Sequence, residues 1–357
     1  MSLVGSSPLC IRTMEDTPGW NAFVQSHSCG SIFHTAEMIR AFDATPQFKP
    51  LALAACQPDG SVAGILVATQ VCTMGALPNR LSSRSVFFAG PLGIEGPMGT
   101  KAVKALLAHH DDQVGNKVVF SEIRPCSATE ATNPLYLDSG YESHDYINYE
   151  IDLRQTPDQI FRGMSHQRRN NIRANERRGL TVREGDPDTD LSHLYAHLTE
   201  SFTRSKIPLV EREHFEHVFG LLPRSRYRLT IAEVHGKPVA SSLHLIFKDR
   251  VYWWHAGTKR IQGITAQASL VWDAIQWGID QNAKVYDFAG AGWEGEIYTP
   301  GVFKSRFGGQ RVNVRRYRKV YSRLRMNIAS AGYRLARPIF SAPRRDRDEL
   351  RTAFNPS

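Results

Sequence analysis

One stretch, residues 285–309, restricts the possible folds of this chain more than any other. It reads VYDFAGAGWEGEIYTPGVFKSRFGG: a short apolar strand, a glycine-rich turn and a compact segment that ends in two glycines. Phe303 and Phe307 are four residues apart, so one helical turn would present both rings on the same face. Lys304 would then point from another face, beside rings that anchor it. Because glycine allows close approach of backbone or ligand, the stretch predicts a tightly packed turn that presents one lysine.

A lysine in this setting is a candidate electrostatic catalyst. A fixed cation beside a developing oxyanion commonly contributes about 3 kcal/mol per well-placed donor. His255 and Asp287 are candidates for a general base, because either side chain can accept a proton. Asp287 ends a strand, and for this residue we favour a structural hydrogen bond over the catalytic role. For His255 the catalytic and structural interpretations stay open.

The bulk composition bounds the class of protein. With 357 residues, 41% hydrophobic and 22% charged, the chain fits a soluble globular protein of two domains. Its five scattered cysteines include no C-x-x-C pair, which favours a reducing compartment and argues against a structural zinc site. The start of the chain lacks a secretory pattern, so we expect a cytoplasmic protein. We also expect it to bind no metal and to be a monomer. The net charge of +9 suits RNA, a phosphate-bearing substrate or a membrane surface, although biased arginine usage explains it equally well.

Elements alternate along the chain in a way that predicts α/β architecture. In the first half, strands at 51–56, 62–74, 86–90 and 117–123 alternate with a helix over 101–110. In the second half, two capped helices begin at Thr156 and Ser165 and precede a strand, two more helices and a three-stranded meander. A long helix over 264–281 and strands at 285–288 and 311–321 follow. We expect an N-terminal domain over 1–150, a catalytic domain over 151–321 and a basic tail over 322–357.

Two arginine-rich segments are candidate binding surfaces for an anionic partner. Residues 162–178 hold six arginines and one acid, and Arg169, Arg173 and Arg177 share one helical stripe. Residues 311–325 hold seven basic residues and no acid. Phosphates of RNA would neutralise the arginines of either segment. A single basic segment, however, is usually a charged face in contact with solvent.

Three motifs resemble Fem-type transferases, which move an amino acid from aminoacyl-tRNA to an amine. The run D-F-A-G … F-K-x-x-F-G-G, from Asp287 to Gly309, resembles the C-terminal signature of that family. Residues 165–173, SHQRRNNIR, resemble its basic helix, and residues 252–257, YWWHAG, give a weaker match. Together the matches cover about residues 150–320.

The resemblance implies a fold and a set of site residues. The fold is two tandem acetyltransferase (GNAT)-like domains of the α/β (α+β) class, with mixed sheets flanked by helices. Lys304 would stabilise the oxyanion, and Phe303 would lie beside the 3′ end of the tRNA. The substrate and tRNA contacts expected from the motifs and basic segments are Arg168, Arg169, Arg173, Trp254, Arg306, Gly308, Gly309, Arg315 and Arg316. The acceptor would be a peptidoglycan precursor or a small-molecule amine. No cofactor is implied beyond aminoacyl-tRNA as co-substrate.

Two other functions remain open. Residues 260–265, RIQGIT, nearly fit the loop that holds the coenzyme A pyrophosphate in acetyltransferases, and they open a helix where phosphate binds well. An acyl-coenzyme A-dependent N-acyltransferase is therefore the alternative, although Thr265 is bulky for that loop. A non-catalytic RNA-binding protein is the third hypothesis, and it predicts that Lys304→Met leaves function unchanged.

Overall fold

The computed structural model describes residues 9–72, 83–125, 133–296 and 298–336. These residues form two compact units. The first combines the described part of Met1–Tyr146 with Asn313–Ala329, and the second combines Ile147–Val312 with the described part of Ser330–Ser357. The predicted tail over 322–357 is described only as far as residue 336.

Eleven α-helices are present in the described ranges. They are α1 (Trp20–Ser26), α2 (Ala36–Asp43), α3 (Pro97–Val114), α4 (Asn133–Asp138), α5 (Pro157–Gly163), α6 (His166–Arg177), α7 (Pro187–Ser205), α8 (Arg212–Leu221), α9 (Ala266–Asp280), α10 (Thr299–Ser305) and α11 (Arg323–Ala336). No helix in the described ranges is long and apolar enough to span a membrane.

The first sheet has eight strands in the order β1-β2-β3-β4-β6-β16-β7, with β5 on the side of β3. These strands are β1 (Cys10–Thr13), β2 (Phe48–Cys56), β3 (Val62–Cys72), β4 (Ser83–Phe87), β5 (Leu92–Gly93), β6 (Phe120–Ile123), β7 (Glu142–His144) and β16 (Arg316–Val320). β4 and β6 are parallel, and the other pairs are antiparallel. The long helix α3 covers one face of this sheet and buries Ala102, Val103, Leu106 and Leu107.

The second sheet also has eight strands, in the order β14-β8-β13-β12-β11-β10-β9, with β15 on the side of β8. These strands are β8 (Tyr146–Asp152), β9 (Leu180–Glu184), β10 (Tyr227–Val234), β11 (Lys237–Phe247), β12 (Arg250–Thr258), β13 (Val285–Asp287), β14 (Gly292–Trp293) and β15 (Gln310–Asn313). The two mixed sheets flanked by helices confirm the predicted fold class.

Local sequence signals position the helices that surround the site. Thr156 caps α5 with a reciprocal capping box to Gln159, and the Ser165 hydroxyl accepts the Arg168 backbone N–H at the start of α6. Both starts agree with the sequence-based predictions. Helix α9 buries Ala268, Val271, Ala274 and Ile275 against the second sheet.

The strand predicted over 311–321 is divided between the two sheets. Gln310–Asn313 forms β15 beside β8, whereas Arg316–Val320 forms β16 beside β6 and β7 in the first unit. Arg315, between them, has a positive φ of 43° that turns the chain. The basic residues of this segment therefore belong partly to the first unit.

The second sheet opens beside its parallel strand pair. β12 and β13 pair only from Arg250 to Tyr252 and from Val285 to Asp287. β13 ends there, while β12 continues to Thr258 along β11. The glycine-rich turn and α10 follow the end of β13, so the stretch singled out in the sequence occupies the place where the two strands part.

Candidate active site

Lys304 is held at the end of β13 by backbone carbonyls. Its Nζ donates to the Phe288 oxygen at 2.7 Å and to the Gly290 oxygen at 2.5 Å. The same nitrogen lies 5.0 Å from the centre of the Trp253 ring, which is on β12. The side chain is half-buried. The ammonium group is thus fixed between the diverging strands and does not extend into open solvent.

The turn after β13 adopts a conformation that its sequence explains. Ala289 has a φ of 55° and Gly290 a φ of 105°, both in the left-handed region. The Asp287 carboxylate accepts the Ala289 N–H at 2.7 Å, as an aspartate does at the start of such a turn. The Gly290 N–H donates to the Asn148 side chain at 2.8 Å. These hydrogen bonds hold the turn that presents the two carbonyls to Lys304.

Asp287 acts in this structure as the centre of a buried polar network. It accepts hydrogen bonds from the Asn148 amide at 2.6 Å and from Arg250 at 2.9 Å, and Arg250 also donates to Glu150 at 2.7 Å. Burial lowers the pKa of Arg250, but the charges of Asp287 and Glu150 outweigh it and raise the pKa above its usual range. These contacts fit the structural interpretation of Asp287.

Four aromatic rings and one guanidinium group pack behind Lys304. Phe303 lies 5.4 Å from Phe307 and 6.0 Å from Trp253, and Phe307 lies 5.4 Å from Phe288. Arg168 stacks on both the Phe303 and Phe307 rings. The prediction that Phe303 and Phe307 share one face is confirmed.

Arg168 has a setting different from the one predicted. It is only 2% exposed and donates from Nη2 to the Phe303 oxygen at 2.9 Å. A guanidinium group enclosed in this way cannot meet an RNA phosphate. Arg169 donates to the Arg162 oxygen at 2.8 Å and to the Met164 oxygen, and is half-buried. Of the three arginines predicted on this helix to bind RNA, Arg173 is the exposed one.

The two glycines of the F-G-G run contact the chain's own backbone. A Cβ at Gly308, whose φ is 79°, would collide with the Gly163 carbonyl. A Cβ at Gly309 would lie 2.7 Å from the Glu150 oxygen. Their absent side chains therefore allow close packing of this segment, and the contact of both glycines with substrate stays a prediction. The neighbouring Arg306 is exposed.

Trp254 and His255 face the other side of the sheet from Lys304. A bulge shifts the β11–β12 register between Leu243 and His244, so that Trp253 pairs with His244 and His255 with Leu243. The His255 ring lies 5.1 Å from Phe215 of α8, and the Trp254 ring 5.6 Å from His214. Burial lowers the pKa of His255 to about 4. This placement corrects the predicted roles of His255 as a base and of Trp254 as a cleft residue.

Trp253, and not the predicted Trp254, faces Lys304, and the two rings lie on opposite faces of β12 as the alternation of a strand predicts. Two further contributors to the site were missed in the sequence. Asn148 and Arg250 orient the turn from β8 and β12, more than thirty residues away from it. An asparagine next to Ile147 in a predicted strand, as at Asn148, was the one available signal.

Arg315 and Arg316 are assigned to a different unit from Lys304. Both belong to the first unit, where Arg315 pairs with Asp145 at 3.5 Å and Arg316 pairs with Glu122 at 3.5 Å. The Arg316 guanidinium also lies 3.5 Å from the centre of the Tyr146 ring. Acids from other segments therefore pair with these two arginines, whose own segment contains no acid.

The loop that resembles a coenzyme A site is occupied by side chains of the protein. Arg178 donates to the Gly263 carbonyl, and the Thr265 N–H donates to the Asn175 side chain at 3.0 Å. Asn175 also donates to the Thr265 oxygen and to Ser269, both at 2.9 Å. A pyrophosphate bound through the Thr265 amide would have to displace Asn175.

The first unit contains a separate cavity of about 310 Å³. Its lining includes the glycines and prolines that could form a cleft, among them Pro91, Gly93, Gly96 and Gly99. Lys304 is in the other unit and does not contribute to this cavity.

Comparisons with known proteins agree with this geometry. Residues 166–298 match a family model described as an acetyltransferase (GNAT) domain. Over 163 residues, the chain is 24% identical to a UDP-N-acetylmuramoylpentapeptide-lysine N(6)-alanyltransferase of Weissella viridescens. The match covers 45% of this chain and 48% of that protein, so the chain spans about half the length of this curated relative. The predicted Fem-type resemblance is confirmed.

Solved structures show the same fold over most of the chain. The crystal structure of FemX has a TM-score of 0.65 at 12% identity, covering 92% of this chain and 100% of that one. L-PGS from Bacillus licheniformis has a TM-score of 0.57 at 15% identity, with coverages of 91% and 98%. A tandem GNAT protein from the clavulanic acid biosynthesis pathway also has a TM-score of 0.57, at 11% identity, with coverages of 88% and 99%. Together with the Fem-type resemblance, the tandem acetyltransferase-like fold confirms the expectation of an acyltransferase-type domain.

Proposed function

We propose that this protein transfers an amino acid from aminoacyl-tRNA to an amine and forms an amide bond. Its acceptor would be a peptidoglycan precursor or a small-molecule amine. The alanyltransferase of Weissella viridescens supports the first acceptor class, because its name states a lysine of such a precursor as the acceptor. Aminoacyl-tRNA is a cytoplasmic substrate, so we propose the cytoplasm as the site of action.

The position of Lys304 carries this proposal. When an amine attacks the ester carbonyl of the donor, a C–N bond forms and the carbonyl oxygen becomes negatively charged. The Lys304 ammonium, held by the Phe288 and Gly290 carbonyls, is a fixed cation where the strands part. A cation fixed in advance stabilises that oxyanion without reorganisation during the reaction. Collapse of the intermediate breaks the ester C–O bond and releases the tRNA.

The proton of the attacking amine passes to the leaving oxygen in this proposal. His255 lies on the opposite face of the sheet, and Asp287 is engaged by Asn148, Arg250 and Ala289. The reaction then needs no side chain as a base. The leaving ribose oxygen of the donor takes up this proton, because the oxygen becomes basic as its bond to carbon breaks.

The loop at residues 260–265 favours aminoacyl-tRNA over acyl-coenzyme A as the donor. Arg178 and Asn175 already bind the Gly263 carbonyl and the Thr265 amide. The exposed guanidinium of Arg173 on α6 suits the backbone of a nucleic acid. An acyl-coenzyme A-dependent N-acyltransferase remains the second candidate, because the GNAT domain match includes this loop.

Incubation with a mixed pool of radiolabelled aminoacyl-tRNAs and candidate amines tests the proposal. We expect label in the amine, and we expect Lys304→Met to reduce the rate about 100- to 1,000-fold. Lys284→Met is the matched control, because Lys284 is exposed and pairs only with Asp249 at the surface in the contacts seen here. Transfer from an acyl-coenzyme A, with none from any aminoacyl-tRNA, would instead establish the second candidate.

A further inference from the structure

Among the described residues, no acid pairs with the buried Arg168. Burial lowers its pKa to about 10, and the charged group that adds most to this effect is another cation, Arg306. Its Nε and Nη1 atoms are buried and have no hydrogen-bond partner in the described part of the chain. Buried cations are normally paired with an acid, so this one needs an explanation.

Stability does not provide that explanation. An apolar side chain of similar volume usually packs into such a place at equal or lower free energy. The guanidinium carbon of Arg168 lies 3.9 Å from the centre of the Phe303 ring and 4.3 Å from the centre of the Phe307 ring. A methionine side chain would pack against these two rings as readily. What a methionine cannot reproduce is the hydrogen bond from Nη2 to the Phe303 carbonyl.

That carbonyl belongs to the last turn of α10. The helix is only seven residues long, too short to be stable alone, and its final carbonyls have no partner within the helix. Arg168 satisfies the Phe303 oxygen, and the Ser165 N–H satisfies the Arg306 oxygen at 2.9 Å. A cation at a helix C-terminus also interacts favourably with the helix dipole. Helix α6 therefore fixes the end of α10 at two points.

We propose that Arg168 is a positioning residue that sets the place of the Lys304 ammonium by holding the Phe303 carbonyl and both phenylalanine rings. Lys304 follows Phe303 directly in the chain, so a displaced Phe303 peptide carries the lysine with it. The role rests on the proposed function of Lys304. It also connects the arginine motif of α6 with the F-K-x-x-F-G-G motif, although more than 130 residues separate them.

Steady-state kinetics of Arg168→Met, Arg168→Lys and Arg183→Met with aminoacyl-tRNA test this role. A displacement of about 1 Å can lower a rate about 100-fold, so we expect that loss in kcat for Arg168→Met, with the KM for the donor almost unchanged. Arg168→Lys keeps the charge but cannot stack as a flat group, and should recover part of the rate. Arg183 is the control because it pairs with Asp190 and Glu233 away from α10.

Combination with Lys304→Met separates positioning from a general loss of structure. If Arg168 acts through Lys304, Arg168→Met should cause no further loss in a Lys304→Met background. Multiplied losses in the double variant, or a wild-type kcat for Arg168→Met, would overturn the role. If Arg168→Met fails to fold, Arg168→Lys serves in the same cycle.

A crystal structure of Arg168→Lys gives a readout that does not depend on activity. A Lys304 Nζ displaced from the Phe288 and Gly290 carbonyls supports the positioning role, and an unchanged Nζ contradicts it. If wild-type protein transfers no amino acid, or Lys304→Met is fully active, the proposed function fails. The crystallographic comparison would still decide whether Arg168 positions the lysine.

Discussion

Residues 162–178 and residues 311–325 both carry arginines at short intervals, but their guanidinium groups have opposite surroundings. In the second segment Arg316 and Arg318 pair with Glu122, and Lys319 pairs with Asp111. In the first segment Arg173 and Arg177 are exposed, and Arg168 is enclosed by rings. Two segments that are both rich in arginine thus form an ion-pair network in one place, and exposed arginines beside a buried cation in the other.

The difference comes from the neighbouring strands. β16 lies beside β6, which brings Glu122 opposite Arg318 in the register. In helix α6, Arg168 instead meets a carbonyl at the end of α10. A basic segment therefore indicates an RNA-binding surface only where folding leaves its charges unneutralised, and Arg173 meets that condition better than Arg316.

The largest effect is expected from Glu122→Gln. Glu122 is 3% exposed and forms ion pairs with Arg124, Arg316 and Arg318. The neutral amide of the variant would leave these three cations without their shared acid. Removal of one member of such a buried cluster typically costs about 3–5 kcal/mol. Urea denaturation of the variant and the wild type measures this. A loss below about 1 kcal/mol would show that the network contributes little.

Acidification should weaken the same network. Burial raises the pKa of Glu122, but Arg124 and Arg316 outweigh it and lower the pKa to about 2 from 4.5. A carboxylate with a lowered pKa stabilises the fold above its unfolded pKa, so this contribution, about 3 kcal/mol, is lost as the pH falls from 4.5 to about 2. Denaturation midpoints across that range provide the measurement. Glu122→Gln should remove this part of the pH dependence.

Arg318→Gln should have a smaller effect. It removes one hydrogen bond to Glu122, at 2.7 Å, but also relieves repulsion from the neighbouring arginines, so we expect a loss of about 1–2 kcal/mol. Binding of RNA should be nearly unchanged, because this guanidinium is already paired. A marked fall in RNA affinity would place the second segment in the binding surface after all.

The smallest effect on stability is expected from Arg173→Gln. Arg173 is exposed and four residues from both Arg169 and Arg177, so its loss should change the free energy of unfolding by less than about 0.5 kcal/mol. In RNA binding, however, the slope of log affinity against log salt should fall by about 0.7–0.9 for one lost phosphate contact. Titrations at several salt concentrations test this. An unchanged slope would argue that RNA does not contact this stripe.

Much of the second unit was predictable because its signals are local. The caps at Thr156 and Ser165, the apolar face of α9 and the meander of β10 to β12 all follow from residues within a few positions of each other. The placement of Lys304 beside a glycine-rich turn after β13 also followed from one continuous stretch. Predictions failed where an outcome depended on a distant strand, as for Arg316 in β16.

The positions of the catalytic candidates were also predictable where they depended on neighbouring residues and not where they depended on distant ones. The sequence of residues in one short stretch was sufficient to place Lys304 after the end of a strand, with two rings and two glycines close by. The burial of Arg168, the presence of Trp253 and not Trp254 beside Lys304, and the hydrogen bonds of Asp287 depended on partners far away in the chain. Backbone conformation responds to near neighbours, whereas burial and charge pairing are set by whichever segments packing brings together.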